Sequence, residues 1–308
     1  MLLKQVRIDL NELLWRHYKT QSPHAQALEA ELIQRGETPT LDHYAIITAP
    51  SIHCSMESLA GIFESIGYRL QGRDYLPEKQ NDFLWMAEED ACENSALNVL
   101  PQVVLADFRL DELPESTQTI LQKYMHYGDP NAIGAIKKLA EQVKNGDAEA
   151  AATLTTTLAT YLTQRDWPLP SKEDLLKISE SNELLAWTLL FGRCPNHFTI
   201  SVHLLKGFKS LEAFNHFMIN ELKLPLNTTG GAIKGNESIG IEQSSTLGAK
   251  ITTQTIDELI EIANSFIEFV WRYPKNLNQP SSQWNDYFTG FIANNANKVI
   301  ESLYKDAK

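Results

Sequence analysis

Cysteine is scarce in this chain of 308 residues, with Cys54, Cys92 and Cys194 the whole supply. An odd number at wide spacing suits neither a disulfide framework nor a CxxC metal site. These thiols are expected to be inert. Long apolar runs are missing as well: none approaches the roughly 20 residues needed to span a bilayer. Basic clusters are also lacking. Lys and Arg total 27 against 39 for Asp and Glu, a net charge of −12. An acidic chain without a basic run is poorly suited to phosphate backbones. The opening Met1-Leu2-Leu3-Lys4-Gln5 has neither the charged n-region nor the apolar h-region of a secretory leader. These absences predict a cytoplasmic protein with no nucleic-acid partner and no membrane. The familiar catalytic signatures GxSxG, HExxH, the P-loop and GxGxxG are absent too. Gly230-Gly231-Ala232-Ile233-Lys234-Gly235 is glycine-rich, but its spacing reads as a tight turn between strands.

What remains is a folding sequence. Hydrophobic residues make up 43% and charged residues 21%, ordinary values for a chain with a sizeable core. A single α+β domain over residues 1–308 is expected. Residues 1–36 read as N-terminal helices, from Leu10, Leu13, Leu14 and Trp15 and then Leu28, Leu32 and Ile33. Residues 41–112 read as a βαβββ module, opening on the β-leaning run Leu41–Thr48. Its helix is capped by Ser55 and carries Leu59, Ile62, Phe63 and Ile66. Residues 113–192 read as a helical insert, in which Ser171-x-x-Asp174 resembles a capping box. The first pattern then returns over residues 195–256, where Asn196-His197-Phe198-Thr199-Ile200 matches Asp42-His43-Tyr44-Ala45-Ile46. A C-terminal helical segment is expected over 257–308. Together the modules predict a curved, partly closed mixed sheet around a metal cavity.

Strand alternation sorts the polar side chains. His197, Thr199, Ser201 and His203 fall on one face, opposite Phe198, Ile200 and Val202. Ser238, Gly240, Glu242 and Ser244 fall together, as do His43, Ala45 and Ile47. A polar face turned inward usually encloses a ligand or water, because buried polar groups need partners. Two readings fit. One is a 2-His-1-carboxylate set of His43, His197 and Glu242, which suits non-haem Fe(II) and leaves positions open. The other is a pair of hydrogen-bonded core histidines with a solvated glutamate. Glu88, in the acidic run Glu88-Glu89-Asp90, is the module-related competitor to Glu242. His203 lies roughly 20 Å along the strand from His197, too far to share its ion. His53 reads as a loop residue, and His126 as part of an insert that packs outside the sheet and supplies no ligand.

At these residues a family resemblance emerges. Leu41-Asp42-His43, Asn196-His197-Phe198-Thr199, Leu226–Gly235 and Ile241-Glu242-Gln243-Ser244-Ser245-Thr246 resemble the 2-oxoadipate dioxygenase/decarboxylase family. Phe288-Thr289-Gly290-Phe291-Ile292 and Ile300-Glu301-Ser302 are similar to its closing segment. The resemblance implies a fold of the vicinal-oxygen-chelate, glyoxalase-like kind. It places the iron ligands on His43, His197 and Glu242, and implies a reaction of Fe(II) and O2 with a 2-oxo acid. Zn, Ni or Mn on the same scaffold would instead serve a glyoxalase-type lyase, isomerase or hydrolase. A non-catalytic small-acid binding protein is the third reading. Ile47, Thr199, Lys234, Gln243 and Ser244 are the residues expected around the substrate. The family member acting on 2-oxoadipate has an arginine four positions after the first ligand, where this chain has Ile47. That departure removes a bidentate partner for a distal carboxylate, unless Lys234, Arg193 or Arg272 compensates. It predicts an acid with a less polar tail.

Overall fold

The computed structural model describes residues 1–276 and 281–300. The chain begins with α1 (Leu2–Gln21) and α2 (Pro23–Gln34), and enters the sheet at β1 (Leu41–Thr48). Then come α3 (Met56–Ser65), β2 (Tyr68–Leu76), β3 (Asn81–Glu88) and β4 (Gln102–Phe108). Ser55 starts α3 as expected: its hydroxyl accepts from the Ser58 backbone, and Ser58 returns the bond. The insert consists of α4 (Glu115–Leu121), α5 (Ala132–Lys144), α6 (Ala148–Tyr161), α7 (Lys172–Ser181) and α8 (Glu183–Phe191). Ser171 caps α7 through the Asp174 amide. The second pass runs β5 (Pro195–Ser201), α9 (Leu211–Asn220), β6 (Lys234–Asn236), β7 (Ile241–Ser245), β8 (Ala249–Gln254) and β9 (Leu259–Arg272). It is followed by α10 (Ala293–Ile300). The Gly230-Gly231 pair does form a turn, both residues taking positive φ, at 68° and 101°, values that cost glycine little.

One nine-stranded sheet holds the molecule together, in the order β2-β3-β4-β1-β5-β9-β7-β6, with β8 paired to β9. It curls into a half-barrel of α+β type. Each module contributes four consecutive strands, β2-β3-β4-β1 and β6-β7-β9-β5, and the two meet where β1 pairs antiparallel with β5. Within each, the first strand runs parallel to the last, β1 with β4 and β5 with β9. The second module is therefore a copy of the first with a hairpin strand, β8, inserted before its final strand.

That final strand corrects the expectation of a helical segment from residue 257. Residues 259–272 form the longest strand of the sheet. Phe266, Ile267, Phe269 and Val270 are all fully buried. A strand covered on both faces shows a near-continuous apolar run, without the alternation that distinguishes strand from helix. Residues 301–308, which include Glu301 and Ser302 of the closing motif, lie outside the described residues.

Two cores sandwich the sheet. Tyr44, Ile46, Phe198, Ile200, Ile267 and Phe269 point to the convex side, against α1, α2, α3, α5, α6 and α9. Ile47, Phe83, Ala106 and Phe266 point to the concave side, where α4, α7 and α8 contribute Ile120, Leu175, Ile178 and Trp187. The insert is thus divided between both faces, not confined to the outside as expected. Trp187 crosses to the sheet, donating its indole N–H to the Asn264 carbonyl at 2.5 Å.

Candidate metal centre

Register alone brings two histidines and a carboxylate together. Across the antiparallel β1–β5 seam, His43 opposes Thr199 and Ala45 opposes His197, so all four side chains share the concave face. Across the parallel β5–β9 pair, His197 aligns with Phe266 and Thr199 with Glu268. His43, His197 and Glu268 therefore occupy three adjacent strands at diagonal positions. Their candidate ligand atoms all lie within 4.8 Å of one another. Glu268 Oε2 is 3.2 Å from His197 Nε2 and 3.5 Å from His43 Nε2. The imidazole centroids are 5.7 Å apart. Glu268 is only 2% exposed, so its charge must be compensated by groups placed there for it.

A second tier of side chains fixes those three. Asp42 Oδ1 accepts from His43 Nδ1 at 2.7 Å, and Asn196 Oδ1 accepts from His197 Nδ1 at 3.1 Å. Both rings then present Nε2 to a common point, the arrangement metal-binding histidines use. Gln243 donates to Glu268 Oε1 at 2.6 Å and is itself held by Asn295. Thr199 Oγ1 stands 3.0 Å from His43 Nε2. Arg272 grips both oxygens of Asp42, at 2.7 and 2.8 Å. The same guanidinium donates to the carbonyls of Phe288 and Gly290 at 2.9 and 3.0 Å. That anchors the segment whose Phe291 ring meets His43 edge-on at 4.8 Å.

Burial dominates the electrostatics. It pushes His197 down to about 4. It opposes charge on His43 too, but the Glu268 and Asp42 carboxylates outweigh it and hold that imidazole above its usual range. Burial disfavours the Glu268 anion, yet the two histidines and Gln243 keep it below the usual carboxylate range. A neutral His197 beside an ionised Glu268 suits a divalent first-row cation, which on binding would displace the proton that the two carboxylates favour on His43. The donor set, its burial and its supporting hydrogen bonds fit such an ion.

Glu242, expected as the third ligand, faces the other way. Residues 237–239 form a short 3-10 turn and Gly240 takes a left-handed φ of 84°, so the strand begins only at Ile241. Ser245 opposes Glu268 and Gln243 opposes Val270 on the concave face, which turns Glu242 and Ser244 outward. Half-buried Glu242 bonds Tyr273, and Ser244 donates to Asn215 of α9 at 2.8 Å. Ser244 is thereby removed from the expected substrate contacts. Glu88 is also excluded: it lies at the end of β3 beside Arg7, 3.7 Å away, and accepts from the Leu100 amide. His203 leaves the strand in the turn after Ser201, where its ring packs on Tyr287. His126 is exposed on the insert, outside the cluster.

The cluster opens on a cavity of about 50 Å³. Ile47 lines it, together with Ala45, Phe83, Val104 and Phe291, and Gln243 adds an amide. Lys234 aligns with Gln243 but directs its ammonium to the Asn227 carbonyl at 2.9 Å. Arg193 is paired with Asp166 and Arg272 with Asp42, so neither guanidinium reaches the wall. Glu268 is not among the expected ligands, because the helical segment expected over 257–308 hides the strand that carries it. The signal was present: one acid inside the apolar run Phe266-Ile267-Glu268-Phe269-Val270.

A paired-module half-barrel with such a cluster on its concave face belongs to the glyoxalase-like class of folds. A glyoxalase-superfamily protein from Ralstonia eutropha superposes with a TM-score of 0.77 over 93% of this chain and 85% of its own, at 18% identity. The chain belongs to the 2-oxoadipate dioxygenase/decarboxylase family, whose model matches residues 8–272, and it is an enzyme of that dioxygenase/decarboxylase type. The chloroplastic 2-oxoadipate dioxygenase/decarboxylase of Arabidopsis thaliana is 31% identical over 275 residues, 86% of this chain and 68% of that one. The hydroxyglutarate synthase of Oryza sativa, solved with 2-oxoadipate, is 25% identical with a TM-score of 0.75, covering 98% and 93% of the two chains. The expected cytoplasmic location is overturned by these relatives, because the Arabidopsis protein is chloroplastic. No helix among the described residues is long and apolar enough to cross a membrane.

Proposed function

We propose that the chain is an Fe(II)-dependent oxygenase with His43, His197 and Glu268 as its metal ligands, converting a 2-oxo acid and O2 to CO2 and a 2-hydroxy acid one carbon shorter. The balance is R–CH2–CO–COOH + O2 → R–CH(OH)–COOH + CO2. Loss of the carboxylate as CO2 and hydroxylation of the methylene each supply two electrons, and dioxygen takes up all four. The observation that carries this reading is the buried convergence of two histidines and one glutamate from three adjacent strands. Three protein ligands leave coordination positions for a chelating substrate and for oxygen. Iron, when bound, supplies the redox chemistry that no side chain can.

The chain's own residues set the conditions. Asp42 and Asn196 orient the two imidazoles, and Gln243 orients Glu268. Phe266, stacked on His197 at 4.8 Å, and Phe291 exclude water from the ligand side. Thr199 places a hydroxyl beside His43, on the face where the metal would be held. Ile47 contacts the tail of the substrate.

The test is anaerobic purification with metal analysis, followed by oxygen-electrode assays on a panel of 2-oxo acids. One iron per chain and stoichiometric O2 and CO2 exchange are expected. Turnover with Zn, Ni or Mn and no O2 uptake would replace this reading with a glyoxalase-type one. An acid bound but never consumed would mark a binding protein.

A further inference from the structure

Resting on that reading, we infer that the substrate's tail is uncharged and ends in a hydrogen-bond acceptor that Asn81 recognises. Asn81 opens β3 and lines the cavity, and it is only 1% exposed. Its Nδ2 is buried without a hydrogen-bond partner. Buried donors are nearly always satisfied, and leaving one unpaired costs about 1–3 kcal/mol. A donor held unpaired on the wall of a ligand cavity is a built receptor for an acceptor atom.

The rest of the wall says what that acceptor carries. Ala45, Ile47, Phe83, Val104 and Ala106 surround it with hydrocarbon, and no Lys or Arg lines the cavity among the described residues. A second carboxylate there would be desolvated without a cation, whereas a carbonyl, ether or hydroxyl oxygen needs only the amide N–H. His43 and Ile47 share a strand face roughly 13 Å apart. One end of the cavity is thus at the metal ligands and the other is apolar. The substrate class is a 2-oxo monocarboxylic acid whose short tail bears a neutral oxygen.

Calorimetric titration of Fe(II)-loaded protein without O2 tests this without relying on turnover. Three ligands on one six-carbon backbone serve: 2-oxoadipate, its 6-methyl ester and 2-oxohexanoate. The ester should bind at least about tenfold more tightly than the dianion, and more tightly than the alkyl acid. Asn81→Leu should erase the difference between ester and alkyl acid while metal content stays unchanged and the melting temperature does not fall. If the leucine variant loses metal, Asn81→Ala, which also lacks the donor, supplies the same comparison. Ile47→Arg should reverse the order in favour of 2-oxoadipate. Tightest binding of 2-oxoadipate by the native protein, lost in Lys234→Gln, would overturn the inference and assign recognition to Lys234. Ester preference surviving Asn81→Leu would overturn the role of Asn81. Failure of all three acids to bind would instead sink the functional reading beneath it.

Discussion

The two modules share a topology and divide the chemistry between them. In the second, β5 and β9 provide His197, Thr199 and Glu268, and β7 adds Gln243. In the first, β1 provides His43, but the rest of its cavity wall is Ala45, Ile47, Leu76, Phe83, Val104 and Ala106, with Asn81 as the polar exception. Superposing the registers sharpens the contrast. His43 aligns with Gln102 and His197 with Phe266, so two residues further on Val104 corresponds to Glu268. One copy kept a carboxylate where the other has a branched hydrocarbon. A duplicated fold thus yields an asymmetric site, with one half that gathers the buried histidine–carboxylate cluster and one half walled mostly by hydrocarbon.

The largest expected effect comes from erasing the polar half. Glu268→Gln should lower iron affinity and activity by at least about 100-fold, since removing an outer partner alone typically costs 10–100-fold. Glu242→Gln should change either by less than about twofold. Iron content after dialysis and steady-state rates compare the two, and equal losses would show that β7 supplies the ligand. Next comes Asp42→Asn, which keeps shape but removes the charge behind His43. Iron affinity should fall by about 10–100-fold, read by competition with a chelator.

Acid should then weaken the metal-free fold. Burial pushes His203 down to about 4. A depressed histidine stabilises the fold above its unfolded value near 6.5, and that contribution is lost as pH falls towards 4. Between pH 7 and 5 the loss is on the order of 2 kcal/mol, from about 1.4 kcal/mol per pKa unit. His197, likewise pushed down to about 4, adds to it, and His43, shifted the other way, offsets part. Urea midpoints at the two pH values should therefore differ less in His203→Gln than in the native protein. An equal pH slope in both would remove His203 from the account.

The smallest effect probes the apolar half. Ile47→Val should cost about 0.5–1.5 kcal/mol of stability and leave iron content unchanged. Denaturant melts and metal analysis on one preparation give both numbers. A loss of iron in that variant would mean the halves are not separable.

Several of these features were legible in the chain. The Asp42-His43 and Asn196-His197 pairs mark two like strands, and Ser55 and Ser171 mark helix starts that the structure bears out. The third acid shows in the sequence only as one charge inside an apolar run, and its place in the site is hidden for two physical reasons. β9 is buried on both faces, so its pattern lacks the polar alternation by which a strand is recognised. The phase of β7 depends on Gly240, whose left-handed backbone resets the side-chain sequence just before Glu242. Tertiary pairing set that phase, and local sequence does not encode pairing. The division of the helical insert between both sheet faces was hidden likewise, since an amphipathic helix does not specify which surface it covers.

The antiparallel seam between β1 and β5 has a kinetic consequence. It joins strands more than 140 positions apart in sequence, and Glu268 lies further along still. Closing such a loop is entropically costly and slow compared with forming either module's local hairpins. The three ligand atoms therefore gather only after both halves have emerged and docked. During synthesis the His43 strand lacks both His197 and Glu268, so capture of metal at this site would report completion of the fold and not its beginning.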